Sequence, residues 1–210
     1  FQLENQNSIH IARTLLLKGL RFHKDSIQLY REYFMLEMEF LKKFYEKPQL
    51  AEEFEDGKTE ILEGKILQTI FLEAIENINK PIFIAELLGL ALKSGIPKLF
   101  INLKTSLLDK CSDQSWSWLI LINLELYSKP NEDCTTAEKM RNFSTVIQTA
   151  LNSMKTQDFL AELLKLLQEI SDNQTHLQIY CEEAVFQVLK IGKNLEILTE
   201  EQNKVFGSFE

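Results

Sequence analysis

Glycine and proline are scarce in this 210-residue chain, at 7 and 4 residues. An all-β sandwich needs a turn about every 8–12 residues, so that architecture is excluded. Only three cysteines occur, Cys111, Cys134 and Cys181, and none has a second Cys or His at ligand spacing. Neither a zinc site nor a disulfide framework follows, and free thiols in a reducing compartment are expected. Positive charge is also short, with 23 Lys and Arg against 31 Asp and Glu, a formal net charge of −8. Nucleic-acid binding draws on neutralised phosphates, so an acidic chain makes a poor primary nucleic-acid binder. No uncharged apolar run reaches the roughly 18 residues that a membrane helix needs, and no membrane partner is expected.

Catalytic patterns are missing too. There is no Gly-rich phosphate loop, no G-x-S-x-G and no H-E-x-x-H. His10, His23 and His176 stand apart from one another and from the cysteines. Carboxylate pairs such as Glu52-Glu53 and Glu182-Glu183 read as solvated charges rather than as an acid–base dyad. The expectation is therefore no enzyme, no cofactor, no metal and no small-molecule substrate.

What the chain does contain is helix. Leu and Glu are the commonest residues and Lys is close behind, all good helix formers. Apolar residues recur at three- and four-residue steps almost throughout, the amphipathic signature. Ser8 is placed to cap a first helix running to about Phe22, and Ser26 a second to about Tyr45. Thr59 opens a third, ending near Ile78, and Pro81 suits a first helical turn. Gly95 and Pro97 separate the next two helices. Asp113 or Ser115 opens a sixth, ending before Pro130. Thr135 with Glu138, and Thr199 with Gln202, form capping-box patterns. Thr156 or Asp158 opens an eighth helix, and Asp172 or Asn173 a ninth. The sum is nine or ten helices and no strand.

A repeat underlies them. Ala12, Leu15, Leu16, Gly19 and Leu20 set a spacing that returns at Leu67, Ile70, Phe71, Ala74 and Ile75. It returns again at Phe100, Leu103, Leu107 and Leu108, then at Phe143, Val146, Ile147, Ala150 and Leu151, and last at Leu177, Tyr180, Cys181, Ala184 and Val185. The starts differ by 55, 33, 43 and 34 residues. Two intervals equal one helix pair, while the longer ones add an acidic loop insertion over 46–58 and a shorter loop over 128–135. Residues 46–60 carry Glu46, Glu52, Glu53, Glu55, Asp56 and Glu60 against Lys47 and Lys58. Residues 1–210 are thus expected to be one helical-repeat array of α-α superhelix type, a fragment of a longer protein.

Between these segments lie aromatic-led helices. Tyr30, Tyr33 and Glu37 share a face at W/Y-x2-Y-x3-E spacing, and Trp118, Leu121 and Glu125 repeat it 88 residues on. Large rings at such positions fill the core between stacked helices, and small residues such as Gly19, Ala74 and Ala150 let a neighbour approach. Lys18, Arg21, Lys24 and Arg31 form a basic cluster able to touch RNA phosphate or a partner, or simply to stand as a solvated face.

Arrangements such as Ala12-Arg13-x2-Leu16-x2-Gly19-Leu20 followed by Tyr30-x2-Tyr33-x3-Glu37 resemble the half-a-TPR (HAT) repeat family of RNA-processing proteins. The fuller stretches Ala12 to His23, Leu29 to Met38, Glu60 to Lys65 and Asp113 to Leu126 fit the same family. Where the family places a proline between paired helices, this chain has Lys24. The resemblance implies a TPR-like helical repeat and a nucleolar subunit of the small-subunit processome, a ribonucleoprotein that matures small-subunit ribosomal RNA. It implies protein partners there, including β-propeller proteins, with pre-ribosomal RNA and small nucleolar RNA met mainly indirectly. Two alternatives stay open: a HAT scaffold of splicing or messenger-RNA 3′-end processing, and a module that binds RNA directly.

Overall fold

The computed structural model describes residues 2–46, 63–127, 136–173, 178–194, 196 and 198–207. Ten helices and no strand are found among them, so the all-α expectation holds. They are α1 (Gln2–Phe22), α2 (Ile27–Glu46), α3 (Lys65–Ile78), α4 (Pro81–Lys93), α5 (Pro97–Cys111), α6 (Ser115–Tyr127), α7 (Thr136–Ser153), α8 (Gln157–Asn173), α9 (Gln178–Asn194) and α10 (Glu200–Gly207). The chain divides into two compact units, Phe1–Lys110 and Cys111–Glu210.

In the first unit α2 is the hub, packing on α1, α3 and α4. Its buried residues, Tyr30, Tyr33, Phe34, Glu37, Met38, Leu41 and Phe44, fall at steps of three and four and form one continuous stripe. Ser26 caps it, its Oγ accepting the Leu29 N–H at 3.4 Å. On α3 the repeat positions Leu67, Ile70, Phe71, Ala74 and Ile75 are all buried. Asn79 then turns the chain in the left-handed region (φ 46°), and Pro81 starts α4 at its first position. Pro81 lacks only an N–H that no helix start would satisfy. Ser94 closes α4 by donating to the Ala91 carbonyl at 2.6 Å, and the Ile96 N–H returns to Ser94 Oγ at 3.1 Å.

Gly64 sets the entry to α3. Its φ of +70° suits glycine, and a Cβ there would lie 2.9 Å from Leu99 Cδ1 on α5. Beside it, Asn102 of α5 donates to the Glu63 carbonyl at 3.0 Å, and Lys110 pairs with Glu76 of α3. The α5 helix therefore leans on α3 and on the turn before it.

In the second unit α6 packs on α7 and α8, α9 on α7, α8 and α10. Phe143, Ile147, Ala150 and Leu151 of α7 are buried, as are Phe159, Leu160, Leu163 and Leu167 of α8. Thr156 caps α8, accepting the Phe159 N–H at 3.3 Å. Thr199 and Gln202 form the reciprocal capping box: the Gln202 N–H bonds Thr199 Oγ1 at 3.2 Å, and the Thr199 N–H bonds Gln202 Oε1 at 2.9 Å.

Some boundaries differ from those read in the sequence. Ser8 lies inside α1, because Gln2, Glu4 and Gln6 continue the helix backwards with no Pro or Gly to stop it. Asp172 and Asn173 close α8 instead of opening α9. Gln168 donates to Asp172 Oδ1 at 2.8 Å, and Asn173 donates to the Glu169 carbonyl at 2.7 Å. The helix that ends at Ile78 starts at Lys65, after a glycine whose left-handed backbone cannot sit inside a helix, while the expected opening at Thr59 lies outside the described residues. In α5 the buried series is Leu99, Leu103, Leu107, with Phe100 turned half outward. Thr59, Thr135, His176, Leu177, the loop 128–135 and all but Glu46 of the 46–58 insertion fall outside the described residues.

Candidate functional site

Two motif residues of the first helix pair, Arg13 and Glu37, meet in one interaction. Glu37 is 3% exposed, which a carboxylate tolerates only if it is paired. Its partner is Arg13 of α1, whose Nε donates to Oε1 at 2.5 Å and Nη2 to Oε2 at 2.7 Å. This is the bidentate fork that suits guanidinium to carboxylate. Phe40, three residues beyond Glu37, lies 4.7 Å beneath the same guanidinium. Tyr33 is buried near the pair and Tyr30, two turns before Glu37, is buried facing α3, and burial raises both phenol pKa values above the ordinary range. At Tyr30 a hydrogen bond from Asn77 (3.0 Å) opposes that shift. At Tyr33 the Glu37 charge adds to it and Arg13 opposes it. On α1, Ala12 is half-buried, and a Cβ on half-buried Gly19 would stand 3.1 Å from Leu29 Cδ1, so a small residue lets α2 come close. The motif is the joint between two helices, with aromatic packing and one enclosed ion pair.

The second occurrence keeps the packing. Trp118 is 4% exposed, Leu121 is buried, and the Trp118 Nε1–H donates to the Ser112 carbonyl at 2.9 Å. Ser117, fully buried beside it, lies within hydrogen-bond reach of the Cys111 and Gln114 carbonyls. Glu125 is half-buried, and Ala74 and Ala150 are sealed.

The basic cluster divides. Arg31 forks onto Glu86 of α4, Nε to Oε1 at 2.5 Å and Nη2 to Oε2 at 2.7 Å, and also donates to Gln28 at 3.0 Å. Its guanidinium lies 5.7 Å over the Phe83 ring, in a shallow groove with Ile27, Lys80, Pro81 and Ile82. The hydrogen bond from Arg31 lowers the Glu86 pKa. Lys18, Arg21 and Lys24 are exposed and enter no ion pair among the described residues.

Both forks escaped the sequence reading, although each leaves a trace there. Glu37 sits on an otherwise apolar stripe, and Glu86 is the sole acid of α4. An acid so placed calls for a cation on the facing helix, but which one depends on how the helices dock.

Among the described residues no group of three or more His, Cys, Asp or Glu side chains gathers as a metal site would require. No described helix is long and apolar enough to cross a membrane. Cys111 and Cys181 are both buried.

No family model matches the sequence. Two curated relatives do, each named "U3 small nucleolar RNA-associated protein 6 homolog". The Mus musculus protein is 28% identical over 148 residues, 63% of this chain and 24% of that protein. The Homo sapiens protein is 27% identical over 150 residues, 66% of this chain and 25% of that protein. The matched segment spans about a quarter of either relative's length. Over most of its own length, then, this chain is similar to part of the U3 small nucleolar RNA-associated protein 6 homologs.

Proposed function

We propose that this chain is part of a non-catalytic scaffold in a nucleolar U3 small nucleolar RNA-associated assembly, the small-subunit processome, that matures small-subunit ribosomal RNA. The similarity to the two relatives carries the reading. The helix pairs supply extended surfaces of the kind that hold partner helices and peptides. Its direct contacts are with other protein subunits, β-propeller proteins among them. Small nucleolar RNA and ribosomal RNA precursor are met mainly through those partners. Two charge observations favour protein contacts: the chain carries a net −8, and Arg13 and Arg31 are committed to Glu37 and Glu86.

The test is recovery of the tagged full-length protein from its own cells, with U3 small nucleolar RNA quantified against an unrelated small nucleolar RNA. The expected result is strong U3 enrichment, with protein partners that stay bound after ribonuclease digestion. Equal recovery of the two RNAs would defeat the assignment. Loss of every protein partner with the RNA would replace the scaffold by an RNA-binding module.

A further inference from the structure

The start of α4 breaks two local rules at once. Lys80 stands at the N-cap, where it accepts no first-turn N–H and its charge opposes the helix dipole, and no acid follows in the first turn. Ile82, at the second helical position, is 88% exposed, the highest value of any large apolar side chain among the described residues. Neither residue serves the helix, and sequences break such rules where function asks for it.

Both border the groove between the N-terminal turns of α2 and α4, about 340 Å³ in volume, with Ile27 and Pro81 as its other aliphatic walls. These two helices belong to consecutive pairs and already pack on each other. The neighbours that stacking supplies are thus in place, and the groove stays open. Its charge is one-sided. Arg31 and Glu86 cancel in their fork, which leaves the Lys80 ammonium, exposed and in no ion pair among the described residues.

An apolar side chain against Ile27, Pro81 and Ile82, with a carboxylate at Lys80, satisfies both features. RNA does not, because the Phe83 ring is 3% exposed beneath the Arg31 guanidinium and offers no open face to a base. A second copy across a two-fold axis would set one basic, acid-free turn on another, which like charge opposes. We propose that this groove docks a linear segment of a partner protein, a bulky apolar residue seated on Pro81 and Ile82 and a nearby Asp or Glu paired with Lys80. The inference rests on the protein-scaffold reading for its kind of partner, and not on the U3 association.

Selection of a displayed random-peptide library on the purified full-length protein tests it. The enriched peptides should combine Leu, Ile, Phe or Trp with Asp or Glu, and should bind Ile82→Asp about tenfold or more weakly. Lys80 and Ile82 are both exposed, so the variants should keep the parent's circular dichroism. Lys80→Glu should reverse the charge preference, selecting Lys or Arg in place of the acids. No enriched peptide, peptides indifferent to Ile82→Asp, or an acid preference that survives Lys80→Glu would each overturn the proposal. So would a U-rich single-stranded RNA that binds the parent and not Ile82→Asp, or a dimer that Ile82→Asp dissolves. Only purified protein and peptide enter this measurement, so absent U3 enrichment from cells would defeat the assignment above and leave the peptide result standing.

Discussion

Arg13→Met should destabilise the first unit more than Glu37→Leu, although both remove the same ion pair. The carboxylate of Glu37 is 2% exposed and the Arg13 side chain 20%, so water reaches one partner and not the other. Removing Arg13 strands a buried negative charge, at a cost of about 3–5 kcal/mol, the range for breaking an enclosed pair. Removing Glu37 leaves a guanidinium that keeps the Phe40 ring and reaches solvent, so the cost should be about 2 kcal/mol. The double variant buries no charge and should return to within about 1 kcal/mol of the parent, giving a coupling energy of about 4 kcal/mol or more. For a unit of about 100 residues, the Arg13→Met loss should lower the melting temperature by more than about 10 °C. Thermal and urea unfolding followed by circular dichroism measure all four proteins. Two small and additive single-variant effects would refute the reasoning, because they would mean the pair is a surface contact.

Other consequences follow from single features. Trp118→Ala should cost about 3–5 kcal/mol by emptying a core site, and Trp118→Phe about 1 kcal/mol for the lost bond to Ser112; urea denaturation separates the two, and an unchanged midpoint for the alanine variant would mean that the ring is not in the core. Gly64→Ala should destabilise by about 1–3 kcal/mol, since the new Cβ meets Leu99 while the backbone stays left-handed; a neutral melting temperature would show that the turn can relax. Glu86 has its pKa lowered by Arg31, so its contribution is present above the ordinary glutamate range and lost as pH falls through the lowered value. Arg31→Gln should therefore flatten the acid limb of the stability–pH curve; an unchanged limb would mean that the pair contributes nothing there.

The helices were legible because their signals are local. In α2 and α3, steps of three and four mark the buried stripe residue by residue, and the Thr199–Gln202 box caps α10 as its spacing requires. Local signals misled where two readings compete. Ser8 has capping chemistry but sits in a run of helix formers, and Asp172 and Asn173 serve a helix end as well as a helix start. The motif residues were visible too, but only as types. The sequence reading placed Tyr30, Tyr33, Glu37 and Trp118 on inner faces, and the structure buries all four.

By itself the sequence determined an all-α chain of paired helices, its aromatic core positions and its acidic balance. These depend on periodicity and composition, which act over a few residues. Tertiary structure alone decided that Arg13 belongs to Glu37, that Arg31 is bound to Glu86 rather than open with Lys18, Arg21 and Lys24, and that Leu15 and Phe22 face away from the core. The partners in each fork are 24 and 55 residues apart, so their meeting depends on how whole helices dock. That docking is a sum over many side chains, and no single spacing along the chain encodes it.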